Sequence, residues 1–480
     1  MTGALSSKER FALGRERRKQ IRRVEHKSWT ATMRKQSPLK LMEASMRGRV
    51  PSLVTMKYGL MAASPFGYFR GAVPVMAYDL SLMGNTGIVS QLCGDAHVRN
   101  LGAFAAPDGR LVFDINDFDE TIVGPFEWDV KRMATSLVLA GRSAGTKNVA
   151  CREAAEVFLE RYRMMMGEFA RMPVLELARY QVHRLRAVSA VEGILRTAER
   201  ATPTHTLLSL TEVEARSSAT RSSAKGVTAK GKKKAAKVAA KAAAKGKIVG
   251  RVPRVFKTIE PTLTRVTGAM AEKVIGSLVP YAGTLQKERR HFLSQYRPVD
   301  VAFKVVGTGS VGLRDYCVYM EGNGASDPLF LQVKEEVASG YAAYVGAVKG
   351  TVKGTSRRGV VSHEGHRVVE GERAMQVQSD PFLGWTTLEG RDYLVRQLND
   401  HKASIQLENL KAATLMEYAG VCGELLARGH ARSGDPCMLA GYLGTSMRFV
   451  DAVAGFAETY ANQTEADWKE LTGWLKKSGK

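Results

Sequence analysis

The chain has 480 residues, 44% of them hydrophobic, enough to bury a large core in two lobes or domains. No apolar run approaches the length of a membrane span, and the N-terminus, charged from Lys8 onward, has no apolar segment followed by a cleavage site, which argues against secretion. The formal net charge is +24, and half of that excess sits in residues 221–254, which carry nine lysines, three arginines and no acidic residue.

Residues 1–63 read as a basic helical extension, with a cluster of arginines between Arg15 and Arg23. Residues 64–215 follow as one half of a helical lobe. In it, Leu111-Val112-Phe113 reads as a short buried strand after an Asp108-Gly109 turn. Ala154, Phe158, Tyr162, Met165 and Phe169 recur at helical spacing. Residues 216–251 consist mainly of Ser, Ala, Gly and Lys without an aromatic residue, so they cannot bury enough apolar surface to offset their ordering entropy. They are expected to be a disordered insertion. Its role is either a basic arm that neutralises phosphates of DNA, RNA or polyphosphate, or a solubilising linker.

Residues 252–400 turn β-rich. Val299, Val301, Phe303 and Val305 alternate with Asp300, Ala302 and Lys304, the period of a half-buried strand. Tyr316–Met320, Leu329–Lys334 and Tyr393–Leu398 read as further strands. Helices return in residues 401–480, where Leu415, Ala419, Cys422 and Leu426 share one face. The five cysteines are scattered and contain no Cys-x-x-Cys pair, which argues against a zinc site or a disulfide framework and fits a reducing cytoplasm.

Oxygen-bearing side chains are densest between Cys93 and Asp129. Gly94-Asp95-Ala96-His97-Val98-Arg99-Asn100 is followed by a turn, then by Phe113-Asp114-Ile115-Asn116-Asp117-Phe118-Asp119-Glu120 and Gly124-Pro125-Phe126-Glu127-Trp128-Asp129. Phosphoryl transfer needs a carboxylate to position the attacking hydroxyl, and oxygen ligands nearby to hold Mg²⁺ against the phosphates. Asp95, Asn100 five residues later, and Asp117 after a strand hairpin supply those parts in order. Singly, each is as well explained as a turn or cap residue. A metal-dependent hydrolase using Asp95 and His97 is a competing reading. His97 alone is better read as a structural hydrogen-bonding residue.

A second cluster follows the insertion. Gly307-Thr308-Gly309-Ser310-Val311-Gly312 comes after a strand, but a dinucleotide-binding turn requires a helix next, and residues 314–320 read as another strand. Leu313 stands where a P-loop would need lysine. A glycine-rich hairpin between strands is how kinases cover ATP phosphates. Lys334 ends a strand soon after, and a helix-compatible stretch over residues 364–378 offers Glu370 or Glu372 as its ion-pair partner, Glu370 being preferred. Arg70 and Lys402 are candidates for phosphate or substrate contact, with a surface salt bridge the plainer role for each.

The first cluster resembles the catalytic segment of aminoglycoside-phosphotransferase-like kinases, with Gly-Asp-x-His-x-x-Asn and then a strand ending in Asp-Phe. Gly124-Pro125…Asp129 resembles the element that follows there, and the spacing back from Asp129 selects Asp117 as the metal ligand. Leu425-Leu426-Ala427-Arg428-Gly429-His430 resembles the helix that precedes the loop in those enzymes. Because the catalytic loop precedes the glycine-rich hairpin, the resemblance implies an α+β, two-lobed, kinase-like fold in circularly permuted order. Over nearly its whole length the chain also resembles the bacterial "domain of unknown function 2252" family. Ser64–Gly71, Gly94–Asn100, Asn116–Thr121, Gly124–Arg132, Val305–Gly312, Leu331–Glu335, Arg396–Lys402, His430–Asp435 and Tyr460–Gln463 carry that likeness. The lysine- and alanine-rich insertion departs from it.

These readings imply ATP and Mg²⁺ as cofactors and an unidentified small-molecule or protein acceptor. Asp95 is expected to orient or deprotonate the acceptor, and Asn100 and Asp117 to hold Mg²⁺. Gly307, Gly309, Ser310 and Gly312 would cover the phosphates, Lys334 with Glu370 would bind them, and Arg70, His97 and Lys402 are further contact candidates. The alternatives are AMP transfer, a nucleotide-binding pseudokinase, and a scaffold that engages nucleic acid through the insertion.

Overall fold

A computed structural model describes residues 5–181, 188–214, 254–305, 307–346, 362–398 and 403–478. The chain opens with α1 (Ser7–Gln20), α2 (Pro38–Ser45), α3 (Pro51–Ala62), α4 (Pro65–Gly71) and α5 (Val73–Ser81). Four strands follow: β1 (Val89–Leu92), β2 (Leu101–Ala105), β3 (Leu111–Ile115) and β4 (Ile122–Pro125). Helices α6 (Phe126–Ser143), α7 (Asn148–Phe169), α8 (Val174–Arg179), α9 (Ser189–Arg200) and α10 (Pro203–Leu210) lead to β5 (Thr211–Val213). After the insertion come β6 (Arg254–Phe256), β7 (Leu263–Val266), α11 (Ala269–Gly276), α12 (Leu278–Thr284) and α13 (Lys287–Leu293). Then follow β8 (Arg297–Lys304), β9 (Asp315–Glu321), β10 (Pro328–Glu335), α14 (Ala342–Val345), α15 (Glu364–Met375), β11 (Gly384–Leu388) and β12 (Arg391–Gln397). The described chain ends with β13 (Ala403–Ser404), α16 (Ala412–Ser433), α17 (Pro436–Leu443) and α18 (Arg448–Ser478).

The fold is mixed α+β. Its largest sheet has the order β11-β12-β10-β9-β8-β7, with every neighbouring pair antiparallel. The strands read at 316–320, 329–334 and 393–398 are β9, β10 and β12, and the helix read near 364 is α15. One expectation changes. Strand β8 is not half-buried, since Asp300 and Ala302 are buried along with Val301. Tyr316, Val318 and Val333 pack on one face of the sheet, while Leu207, Phe256, Phe330 and Leu398 cover the other. A sheet covered on both faces loses the alternation that a one-sided sheet keeps.

The helical body forms around α6, whose residues from Phe126 to Gly141 are all buried. Local chemistry sets several helix starts. Ser64 accepts the Gly67 N–H at 3.0 Å before Pro65 opens α4, and Asp435 accepts the Cys437 and Met438 N–H groups before Pro436 opens α17. The N-terminal segment is built into this body. Arg34 donates to both oxygens of Asp79 at 2.8 and 2.6 Å and to Asp467 of α18 at 2.8 Å, while the Tyr460 hydroxyl also reaches Asp79. Arg18 of α1 donates to the Tyr442 carbonyl at 2.9 Å.

Sheet and helical body meet at the end of β3. Arg367 of α15 donates to the Thr121 carbonyl at 2.6 Å and the Asp119 carbonyl at 2.9 Å. Gln376 Nε2 donates to the Ile115 carbonyl at 2.6 Å, and Arg396 Nη1 to the Asn116 carbonyl at 3.1 Å. These bonds converge on residues 115–121, the segment that carries Asp117.

Candidate functional site

The loop at 94–100 is held by one face of α6. Asp129 accepts the backbone N–H groups of Cys93 and Gly94 at 2.8 and 3.0 Å. Arg132, three residues on, donates from Nε to Asp95 Oδ1 at 2.8 Å and from Nη2 to the Phe69 carbonyl at 3.0 Å. Ser136 Oγ accepts the Val98 N–H at 3.2 Å. Positions i, i+3 and i+7 line one helix face, so three polar residues on a buried helix grip three points of one loop. Gly94 has φ 81°, and a Cβ there would lie 2.1 Å from the Glu120 carbonyl oxygen, so only glycine fits.

Burial pushes the Asp95 carboxyl up, but Arg132 and His97 outweigh it and hold it well below the usual carboxylate range. Asp95 is therefore ionised and a weak base. His97 is 1% exposed. Its Nδ1 accepts the Arg99 N–H at 3.2 Å, and its Nε2 lies 3.4 Å from Asp95 Oδ2 and 3.2 Å from Arg70 Nε. Burial draws this imidazole down to about 4, with Asp95 opposing and Arg70 and Arg132 adding to the fall. The imidazole is therefore neutral near pH 7. Asn100 is buried and donates from Nδ2 to the Asp95 carbonyl at 2.6 Å. With the amide nitrogen so engaged, Oδ1 is the side-chain atom left to act as a ligand.

Lys334 on β10 forms a buried ion pair with Asp119, 215 positions away in sequence. Burial alone would lower the lysine, but Asp119 and Asp117 outweigh it and raise it above its ordinary value. Burial raises Asp117 to about 6, with the Asp119 charge adding and Lys334 and Arg396 opposing. Asp119 is also pushed up by burial, yet Lys334 holds it below its ordinary value. Glu336 is buried beside them, raised well above its ordinary value by burial and by Asp119, and its Oε1 has no hydrogen-bond partner.

Glu370 is not the partner of Lys334. Its side chain is 71% exposed and lies against His366, one turn away. Glu372, two residues on, is on the buried face of α15 and acts electrostatically on Arg396. A shift of two residues turns a side chain through more than half a helical circle, which the acidic composition of the stretch could not reveal. Arg70 is no surface residue either: it links His97 to Thr308 of the glycine-rich turn, donating to Thr308 Oγ1 at 3.3 Å. Gly307, Gly309, Ser310 and Gly312 lie in the turn between β8 and β9, as read. Lys402 and the insertion at 216–251 lie outside the described residues.

Asp117, Asp119 and Asn100 together fit Mg²⁺ in kind: an oxygen-only set in which the buried Asp119 Oδ1 lacks a hydrogen-bond partner. Among the described residues, no group of three or more His, Cys, Asp or Glu is arranged to hold a metal ion, so a cation here would draw its remaining ligands from phosphate or water. All five cysteines are free and buried. No described helix is long and apolar enough to cross a membrane.

Residue reading missed Arg132, Asp119 and Glu336 as parts of this centre. Arg132 had a legible signal, a cation three residues after Asp129 in an apolar helix. Asp119 lies in the acidic run, where spacing favours Asp117 over it, and Glu336 had no signal, because its importance comes from contacts across the chain. Neither the curated proteins nor the solved structures contain a match to this chain. Residues 49–473 match the family described as "Uncharacterized protein conserved in bacteria (DUF2252)", and the chain belongs to that family.

Proposed function

We propose that this protein is an ATP–Mg²⁺-dependent phosphotransferase of kinase-like, circularly permuted design. The observation that carries the reading is the ion pair of Lys334 with Asp119, beside Asp117. It brings a lysine on a strand after a glycine-rich hairpin to the acidic segment that follows the Gly-Asp-x-His-x-x-Asn loop. The order β8, glycine-rich turn, β9, Lys334 on β10, then α15 supports it, since kinases place their phosphate-covering loop, lysine and following helix in that order.

Asn100, Asp117 and Asp119 would hold Mg²⁺, which when bound neutralises the charge developing on the phosphates. Asp95 is too weak a base to remove a hydroxyl proton early. Its role is to accept a hydrogen bond from the acceptor hydroxyl and aim the oxygen at the γ-phosphorus as the bond to the departing ADP oxygen breaks; the hydroxyl proton leaves late, once the new bond to phosphorus makes it acidic, and passes through Asp95 to solvent. Lys334, paired with Asp119, would bind the α- and β-phosphates when Asp119 holds the cation. The acceptor is unidentified.

The test is incubation of the purified protein with ATP and Mg²⁺, followed by mass spectrometry of protein and nucleotide. Production of ADP with a phosphorylated product is expected, falling at least a hundredfold in Asp95→Ala and Asp117→Asn. Undiminished transfer in both variants would discard the site. An AMP adduct with pyrophosphate release would mean nucleotidyl transfer. One observation favours a pseudokinase: Arg132 already occupies Asp95. On that reading ATP binds but no transfer occurs.

A further inference from the structure

Three cations that precede the catalytic loop, two on helices and Arg49 on the connection between α2 and α3, converge on the glycine-rich turn. Lys57 of α3 is 1% exposed, and its amine donates to the Thr308 carbonyl at 3.1 Å and to the Gly309 carbonyl. Arg49 donates from Nη1 to the Val311 carbonyl at 2.7 Å while its Nε is held by the Ser45 carbonyl at 3.0 Å. The Val50 N–H donates to the Gly312 carbonyl at 2.7 Å. Arg70 of α4 adds the side-chain bond to Thr308 and carries it on to His97. Four consecutive or near-consecutive peptides of the turn are therefore gripped from one side.

Burying an ammonium group is costly unless its protons are satisfied, and lysine is rarely found fully buried without a reason. Lys57 is satisfied by two carbonyls of a turn far away in sequence. Burial draws the amine well below its ordinary range, with Arg49 adding and Glu120 and Asp95 opposing. In a peptide group the N–H points opposite to the C=O. Fixing the Thr308 and Gly309 carbonyls toward Lys57 therefore aims the N–H groups of Gly309 and Ser310 away from it. An array of N–H groups fixed in this way is what a backbone anion cradle requires.

We propose that Lys57, supported by Arg49, is the positioning residue that holds the glycine-rich turn in one conformation, so that the turn is preset for phosphates by α3. The inference rests on the nucleotide-binding reading for its consequence, but the clamp itself can be tested without nucleotide. Hydrogen exchange followed by mass spectrometry would be run on the full chain, comparing wild type, Lys57→Met and Arg49→Gln. Peptides covering the turn should exchange at least tenfold faster in both variants, with β10 and α6 peptides unchanged. The Kd for ATP–Mg²⁺ by calorimetry should rise at least tenfold.

Unchanged exchange in the turn in both variants would overturn the clamp. Global loss of protection in Lys57→Met would leave Arg49→Gln, whose change is at the partly exposed edge, to decide. Faster exchange with unaltered nucleotide affinity would overturn the phosphate-presetting role. A wild-type protein that binds no ATP, yet shows the exchange changes, would sink the nucleotide reading and keep the clamp.

Discussion

At the scale of single residues, the centre is organised by pairs that burial makes strong. Arg132 is fully buried with its guanidinium on Asp95 and its Cζ 4.3 Å from the centre of the Phe69 ring. Removing it leaves an uncompensated carboxylate in the interior, so Arg132→Met is expected to cost about 3–5 kcal/mol, measured by urea denaturation. Glu370→Ala, by contrast, should stay within about 0.5 kcal/mol of wild type, because the side chain is exposed and its histidine partner lies at the surface. A similar loss in both variants would contradict the assignment of Glu370 to solvent. Two buried histidines set a pH response. His26 and His97 are both drawn below their ordinary 6.5 by burial, His97 to about 4. Between 6.5 and the folded value the unfolded chain binds more protons at each ring, so the contribution of each ring to stability falls as pH falls through that window, while buried carboxyls held above their ordinary values, such as Asp117, act in the opposite sense. For His97 the loss is about 3 kcal/mol between pH 6.5 and 4. Between pH 7 and 4.5 the wild type should therefore lose more stability than His97→Gln, read from urea midpoints at each pH; an equal loss would contradict neutral burial of His97.

At the scale of elements, α15 joins sheet and helical body. It approaches residues 119–121 so closely that a Cβ on Gly371 would stand 2.3 Å from Thr121 Oγ1. Gly371→Ala should therefore force the helix off its seat and destabilise by about 1–3 kcal/mol, even though alanine favours helix over glycine. The equilibrium denaturation midpoint reports this, and a stabilised variant would contradict the close approach. The strands and helices themselves were largely legible in the sequence. The apolar period of α7 and the short runs of β9, β10 and β12 are local properties of the chain. Strand β8 was misread as half-exposed because its second face is covered by Leu207 and Phe256, residues from elements well before it.

At the scale of the whole molecule, the described residues on either side of the basic segment pair with each other. Strand β5 pairs antiparallel with β6, setting Thr211 opposite Phe256 and Val213 opposite Arg254. Deleting residues 221–247 should leave the thermal midpoint unchanged within a few degrees. If the insertion is a basic arm, the same deletion should abolish salt-sensitive binding to duplex DNA, read by fluorescence anisotropy at two salt concentrations. Equal binding before and after deletion would assign the segment to solubility alone.

Sequence alone determined the local parts: the Gly94–Asn100 loop, the glycine-rich hairpin, Lys334 at a strand end and the family likeness. Each is set by residue types over a few positions, where backbone preference and spacing act directly. Which acid faces Lys334 was decided only by tertiary structure. Asp119 and Glu336 surround it, and Glu370 does not, because the docking of α15 and β10 against residues 115–121 fixes which side chains are buried together. The same holds for Lys57. Nothing near it in sequence marks it, and its place under the turn exists only because α3 packs against a hairpin some 250 residues away.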